Sequence, residues 1–421
     1  MKKRTKNLLA MSMVLGLAVC ANTVAVAASE ENEPVTLTYW YWADDSEASA
    51  VVQGMVEDYN NTNGKNITVV AEEYPYESGN FTDNVFNAIM GGGGPDVSSF
   101  KIHACKLFEA NGLLPDLTEY VDNCEESSQI TDSIWDMMRE ATGTEEIKVL
   151  PYTMENLFVY YRPSYFEMAG IEVPDNFTEF LEAIEKCTMD TDGDGKTDIY
   201  GFGMRGAGGG QEQLGMFLYP FGADWSDLTT PEAVEAYEAY LNIYKSGYTP
   251  ESAPNAAYAE LVDGFQSGLT AMIIHHCGSS SIWEEAFGDD IGCFAVPGTE
   301  LGRWTSAGDT LFGIFENCEN KDAAFDFYKY MVFGDGGTTW FKNYGKSLGT
   351  TDNIISTEEF QNSPFQAVAA ESAAFAGCLP PTDTLSEFIN NVWQPTNQQA
   401  LLGVITAEEA LQIMQDSLWG E

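Results

Sequence analysis

A chain of 421 residues with 44% hydrophobic and 13% aromatic side chains has the apolar content for two or three cores, and its 24 Phe, 20 Tyr and 9 Trp exclude a solvated, disordered acidic chain. With 65 Asp and Glu against 19 Lys and Arg, the net charge of −46 excludes nucleic acid and anionic lipid surfaces as partners, because both are bound by cationic side chains that neutralise phosphate.

In chain order, the first feature is an address. Lys2, Lys3, Arg4 and Lys6 form a basic leader, Leu8 to Ala21 an apolar run, and Ala25-Val26-Ala27 a small-residue cleavage site, so residues 1–27 read as an export signal. Leu17-Ala18-Val19-Cys20 leaves a second reading open, in which Cys20 is lipidated and tethers the chain to the membrane, although Val19 is larger than the residue that normally precedes such a cysteine. Either way the mature protein is expected to be exported, extracellular or at the cell surface. No later stretch has the ~18 consecutive apolar residues of a membrane span.

Val35 to Trp40 is a β-rich run suited to a first strand. Ser46 to Asn60 has helical spacing, Ile67 to Ala71 is a second strand, and Phe81 to Met90 is helical up to the Gly91-Gly92-Gly93-Gly94-Pro95 stop. Asp96-Val97 opens a third strand, and this alternation predicts an α/β fold with a parallel sheet. Further on, Leu150 to Tyr161 reads as extended, Thr178 to Cys187 and Pro231 to Lys245 as helices, and Ala271 to Ile274 and Phe312 to Phe315 as strands. Lys321 to Met331 and Ala407 to Leu418 are amphipathic helices.

Several groups along this path carry chemistry. Trp42, Asp44 and Asp45 follow the first strand, where an open sheet binds its ligand, and aromatic faces beside carboxylates suit a neutral polyhydroxylated molecule. Gly91 to Asp96 lacks the Gly-Lys-Ser/Thr of a phosphate loop and reads as a helix stop. Asp190, Asp192, Asp194 and Asp198 occupy positions one, three, five and nine of an EF-hand-like loop with Gly195 at six, which predicts a structural Ca2+. Gly201 stands where the bidentate Glu would be, so a remote group or water would complete the shell. His103, His275 and His276 fit no metal or nucleophile signature, and Cys105, Cys124, Cys187, Cys277, Cys293, Cys318 and Cys378 are an odd number, leaving at least one thiol free or paired between chains.

Gly94-Pro95-Asp96-Val97, Asn111-Gly112-Leu113-Leu114-Pro115, Leu150-Pro151-Tyr152, Tyr160-Tyr161-Arg162 and Phe265-Gln266-Ser267-Gly268 follow one another in the order seen in the solute-binding proteins of ABC sugar importers. The mature chain resembles that family, which includes maltose-binding protein, over nearly its whole length. The resemblance implies a two-lobe, hinged, periplasmic-binding-protein-like fold with three interlobe crossings, near Tyr152, Ser306 and Gly334. One lobe would comprise 35–152 plus 307–333 and the other 153–306 plus 334–421. It also implies ligand contacts at Trp42, Asp44, Asp45, Phe100, Lys101, His103, Glu155, Gln211 and Glu212. After Ile274 the family's stacking Trp is replaced by His275-His276-Cys277-Gly278, so Trp225, Trp283, Trp304 and Trp393 compete for that part, with Trp225 favoured by its Phe221-Gly222-Ala223-Asp224 loop.

The function implied is a monomeric, non-enzymatic oligosaccharide receptor that delivers to the permease subunits of an ABC importer. A secreted glycoside hydrolase built on two carboxylates and a calcium-dependent glycan adhesin are the alternatives. Scarcity of Lys and Arg speaks against phosphorylated, sulfated or uronic ligands.

Overall fold

The structure, a computed structural model, describes residues 33–43, 46–75, 80–153, 156–308 and 310–420. The export signal and Cys20 lie outside the described residues, as do Asp44, Asp45 and Glu155. Among the described residues eleven strands follow in chain order: β1 (Val35–Tyr41), β2 (Ile67–Glu73), β3 (Val97–Lys101), β4 (Leu150–Thr153), β5 (Leu157–Tyr161), β6 (Tyr200–Gly203), β7 (Thr270–His276), β8 (Gly292–Phe294), β9 (Thr305–Ser306), β10 (Thr310–Ile314) and β11 (Ala376–Gly377).

They form two main sheets, β2-β1-β3-β10-β4 and β6-β7-β5-β8, plus the short pair β11-β9. Each sheet belongs to its own lobe. One core gathers Leu37, Tyr39, Phe100, Trp135 and Tyr152 with Leu311, Phe312 and Phe327, whereas Val159, Phe180, Phe217, Tyr240 and Trp393 belong to another. A smaller cluster around Tyr160, Phe265 and Trp283 packs on the other side of the second sheet.

The predicted elements are present, the helix Pro231–Lys245 with the expected ends and most others with ends shifted by one or a few residues. The extended run from Leu150 to Tyr161 is two strands, β4 in the first sheet and β5 in the second, so this segment carries the chain from one lobe to the other. A second passage runs from β9 to β10. The parallel sheet expected from strand-helix alternation holds for β1 with β2 and β3, while β10 runs antiparallel to β3 and β4 because it enters the first lobe from the opposite direction. Its first residue, Thr310, pairs with Lys101 and Thr153, the last residues of β3 and β4. In the second sheet Leu157, which opens β5, pairs with His276, which ends β7. Strand ends from both sheets therefore meet at the crossings. Packing of the first core extends through Trp340 and Tyr344 to Leu348, so the boundary expected at Gly334 falls inside that core.

Among the described residues Cys105, Cys124, Cys187, Cys293 and Cys318 are thiols outside any disulfide. No helix there is long and apolar enough to cross a membrane.

Candidate functional site

Where the strand ends meet, a cavity of about 670 Å³ opens between the lobes. Pockets of roughly 300–1,000 Å³ with an aromatic lining and a few convergent polar groups are the usual form of a small-ligand site. From the first lobe, Trp42 follows β1, Lys101 ends β3, and Tyr152 and Thr153 end β4. From the second, Arg205 follows β6, His275 and His276 end β7, and Gln211 and Glu212 open the helix Gln211–Leu218.

Side-chain alternation decides who reaches the cavity on β3. Ser99 and Lys101 line it, while Phe100 between them is fully buried against Phe108 and Phe315, at ring distances of 5.2 and 5.9 Å. The expectation that Phe100 touches ligand is corrected accordingly. His103, just beyond, does reach the wall.

The tryptophans expected as a stacking floor are core residues. Trp225 packs edge-on against Trp304 and Phe388 at 6.5 and 6.4 Å, and Trp304 stacks on Tyr219 at 5.7 Å. Trp283 is wedged against Tyr160 at 4.4 Å and Phe265 at 5.1 Å. Trp393 is fully buried and donates its Nε1 hydrogen to the Ala207 carbonyl at 2.9 Å. None of the four lines the cavity. Its aromatic wall consists instead of Tyr39, Trp42, Tyr152 and Trp340 from the first lobe and Tyr258 from the second. Trp340 and Tyr258 lie outside the motifs used above; the available signals were an aromatic residue in the Gly336-Gly337-Thr338-Thr339-Trp340 helix and another just ahead of the helical Phe265-Gln266 motif.

Polar groups complete the wall. Glu212 accepts a hydrogen bond from Ser306 at 3.4 Å, Lys101 donates to Thr310 at 3.2 Å, and the Lys101 ammonium stands 5.4 Å from the centre of the Trp42 ring. Gln211 is buried, and its Oε1 carries no hydrogen bond among the described residues. His275 accepts from or donates to Ser279 through Nδ1 at 2.8 Å, its ring centre lies 4.4 Å from that of His276, and both residues line the cavity although they are neighbours in β7. Burial pushes the His276 imidazole well below its ordinary range, with the charges of His275, Lys346, Lys101 and Arg205 acting in the same direction, so this histidine is neutral.

Away from the cavity, carboxylate oxygens of Asp190, Asp192 and Asp194 lie within 4.8 Å of one another on an exposed loop. Gly195 holds φ +87, a left-handed turn that folds the loop back, and the Asp190 carboxylate accepts from the Gly193 and Gly195 amides at 2.7 and 2.8 Å. An all-oxygen donor set of this kind fits a hard cation. Asp198 is turned to Thr191 instead, accepting from its amide at 2.8 Å and its hydroxyl at 2.5 Å, and these bonds hold its carboxyl below the ordinary range.

Two lobes joined by crossing strands, with a lined cavity at their junction, define a hinged binding protein. Residues 43–352 match the bacterial extracellular solute-binding proteins, and the chain belongs to that family. Binding proteins of Brucella abortus (strain 2308) and Brucella suis biovar 1 (strain 1330) are each 25% identical to it over 264 residues, 58% of this chain and 61% of theirs. The match thus spans less than two thirds of those relatives.

Solved structures show the same fold. The ABC transporter solute-binding protein of Thermotoga lettingae TMO, bound with α-D-tagatose, has a TM-score of 0.78 at 22% identity, covering 91% of this chain and 98% of that one. Maltose-bound T. maritima MalE3 gives 0.77 at 21% identity, covering 91% and 99%. The GacH receptor of Streptomyces glaucescens GLA.O, studied unliganded and with acarbose, gives 0.76 at 19%, covering 91% and 97%.

Proposed function

We propose that this protein is the extracellular receptor of an ABC sugar importer, a monomer that closes its lobes on an oligosaccharide and hands it, chemically unchanged, to the permease subunits. The observation that carries this reading is the interlobe cavity walled by aromatic rings from both lobes and by amide, hydroxyl and carboxylate groups. Sugar rings offer C–H faces to aromatic side chains and hydroxyls to polar ones, so this mixture matches their chemistry. The tagatose, maltose and acarbose held by proteins of similar fold support the same substrate class. A thermal-shift and calorimetric screen of oligosaccharides tests it, because a ligand bound only by the native state raises the melting temperature. Release of shorter sugars during incubation would point to the hydrolase, and polymer adhesion without saturable binding of short glycans to the adhesin.

Closure has its own expected result. Since the two crossing segments join sheets whose strand ends line the cavity, the lobes have a built-in hinge axis beside the ligand. Small-angle scattering is expected to show a smaller radius of gyration at saturating sugar than without it; equal radii would refute hinge closure.

The Asp190, Asp192 and Asp194 loop is, in this reading, a Ca2+ site that stiffens the second lobe without contacting sugar. Three converging carboxylates repel unless a cation screens them. Chelator is expected to lower the melting temperature and leave sugar affinity unchanged in the folded protein. Identical melting curves with chelator and with added Ca2+ would rule the site out.

A further inference from the structure

Arg205 is anomalous in so acidic a chain. The other described arginines each have a carboxylate: Arg139 pairs with Asp136 at 2.9 Å, Arg162 with Asp290 at 2.5 Å and Arg303 with Glu371 at 3.2 Å. Arg205 lines the cavity, meets no described carboxylate, and its Nε is buried without an acceptor. An N–H donor removed from water and left unpaired costs stability, a cost accepted here with the guanidinium held at the cavity wall.

Its position is fixed by the structure around it. A Cβ on Gly209 would fall 2.0 Å from the Arg205 Cζ, so the guanidinium lies against that loop only because residue 209 is glycine, with φ +89. On another side the Tyr258 ring centre stands 6.0 Å away. The loop is anchored from below: the fully buried Asn397 donates to the Gly206 carbonyl at 2.8 Å, Trp393 donates to that of Ala207, and the Arg205 amide donates to Gln213 at 2.9 Å. A planar fork of donors held still at a cavity wall matches the two oxygens of a carboxylate.

We infer that the oligosaccharide carries a uronic acid residue and that Arg205 receives its carboxylate. This rests on the saccharide reading above and narrows it. Burial is the main cause of the lowered His276 imidazole, and the charges of His275, Lys346, Lys101 and Arg205 add to it in the same direction, which places these cations near one another at this end of the cavity. Overall composition argued against acidic sugars, but a ligand senses the charges within a Debye length of about 8 Å, and the scarce cations Lys101, Arg205 and Lys346 all line this cavity.

The test is calorimetric titration of the wild type, Arg205→Gln and Arg205→Lys with oligogalacturonates and oligoglucuronates, and with the same oligomers after reduction of each carboxyl to an alcohol. The wild type should prefer the acid form by about tenfold or more, and the preference should shrink as salt is raised. Arg205→Gln should abolish the preference and Arg205→Lys keep part of it, with melting temperatures close to wild type. Equal affinity for acid and reduced forms, or an equal loss for both in Arg205→Gln, would overturn the uronate assignment while leaving the saccharide receptor standing. Absence of saturable binding by any glycan, acidic or neutral, would instead overturn the receptor reading itself.

Discussion

Trp42→Ala and Tyr258→Ala are each expected to raise the dissociation constant for the cognate sugar about ten- to a hundredfold. Both rings line the cavity, one following β1 in the first lobe and the other opening the helix Tyr258–Gln266 in the second. Fully burying a large apolar side chain contributes about 1.5–3 kcal/mol, of which a sugar ring closing over an already half-covered aromatic completes the burial while hiding its own apolar face, and each 1.4 kcal/mol is about a factor of ten in affinity. Because both side chains are only partly buried before ligand binds, truncation opens little of either core. The melting temperature without ligand should therefore move far less than the affinity. Since the two residues belong to different lobes, removing both should also reduce compaction at a given sugar concentration, as neither lobe then gains from meeting the other across the ligand. Calorimetry and scattering on the two single variants and the double variant check this; wild-type affinity in the double variant would mean that the sugar rests elsewhere.

The parts of this fold legible from residues alone were those governed by local periodicity. The helix Pro231–Lys245 begins at a proline after a Thr cap and runs for four turns with Ala233, Tyr237, Tyr240 and Leu241 on its buried side, and its ends were predicted to the residue. The last helix, Ala407–Trp419, starts with a reciprocal Thr406 and Glu409 cap, a signal as local as any. What local periodicity does not contain is direction. Nothing in Thr310 to Ile314 says that this strand runs against β3, because that follows from the chain arriving from the other lobe.

At the site the same divide holds. Trp42, Lys101, His103, Gln211 and Glu212 sit next to strand ends or a glycine-rich loop, and adjacency in sequence brought them to the cavity wall. Phe100 shares that neighbourhood but points the other way, a matter of one residue of β alternation. Arg205 carries no local signal of its own: Gly206, Gly208, Gly209 and Gly210 follow it, and glycines are as common in a plain turn as in the bed of a guanidinium. The tryptophans were misplaced for a different reason. A large ring is equally suited to a core and to a sugar platform, and only the packing of distant segments, such as Phe388 and Trp304 around Trp225, decides between the two.

Trp225→Ala accordingly should be a stability variant. Trp225 is 3% exposed, and its backbone carbonyl accepts the Nε1 hydrogen of Trp419 at 3.0 Å, tying the loop after Phe221 to the final helix. The neighbouring helix approaches so closely that a Cβ on Gly215 would fall 2.3 Å from the Trp304 ring and 3.0 Å from the Trp225 Nε1, which leaves no slack for the surroundings to collapse into the vacated space. Replacing a buried Trp by Ala in such a site costs about 3–5 kcal/mol, the transfer of the ring plus the cavity left behind. The urea midpoint should fall with little change in slope, because the surface exposed on unfolding is nearly the same. At a temperature where the variant remains folded, its sugar affinity should lie within about threefold of wild type, less than the tenfold that 1.4 kcal/mol would produce. The opposite pattern, an unchanged midpoint with binding lost, would return Trp225 to the cleft and show that the second lobe packs differently around its ligand.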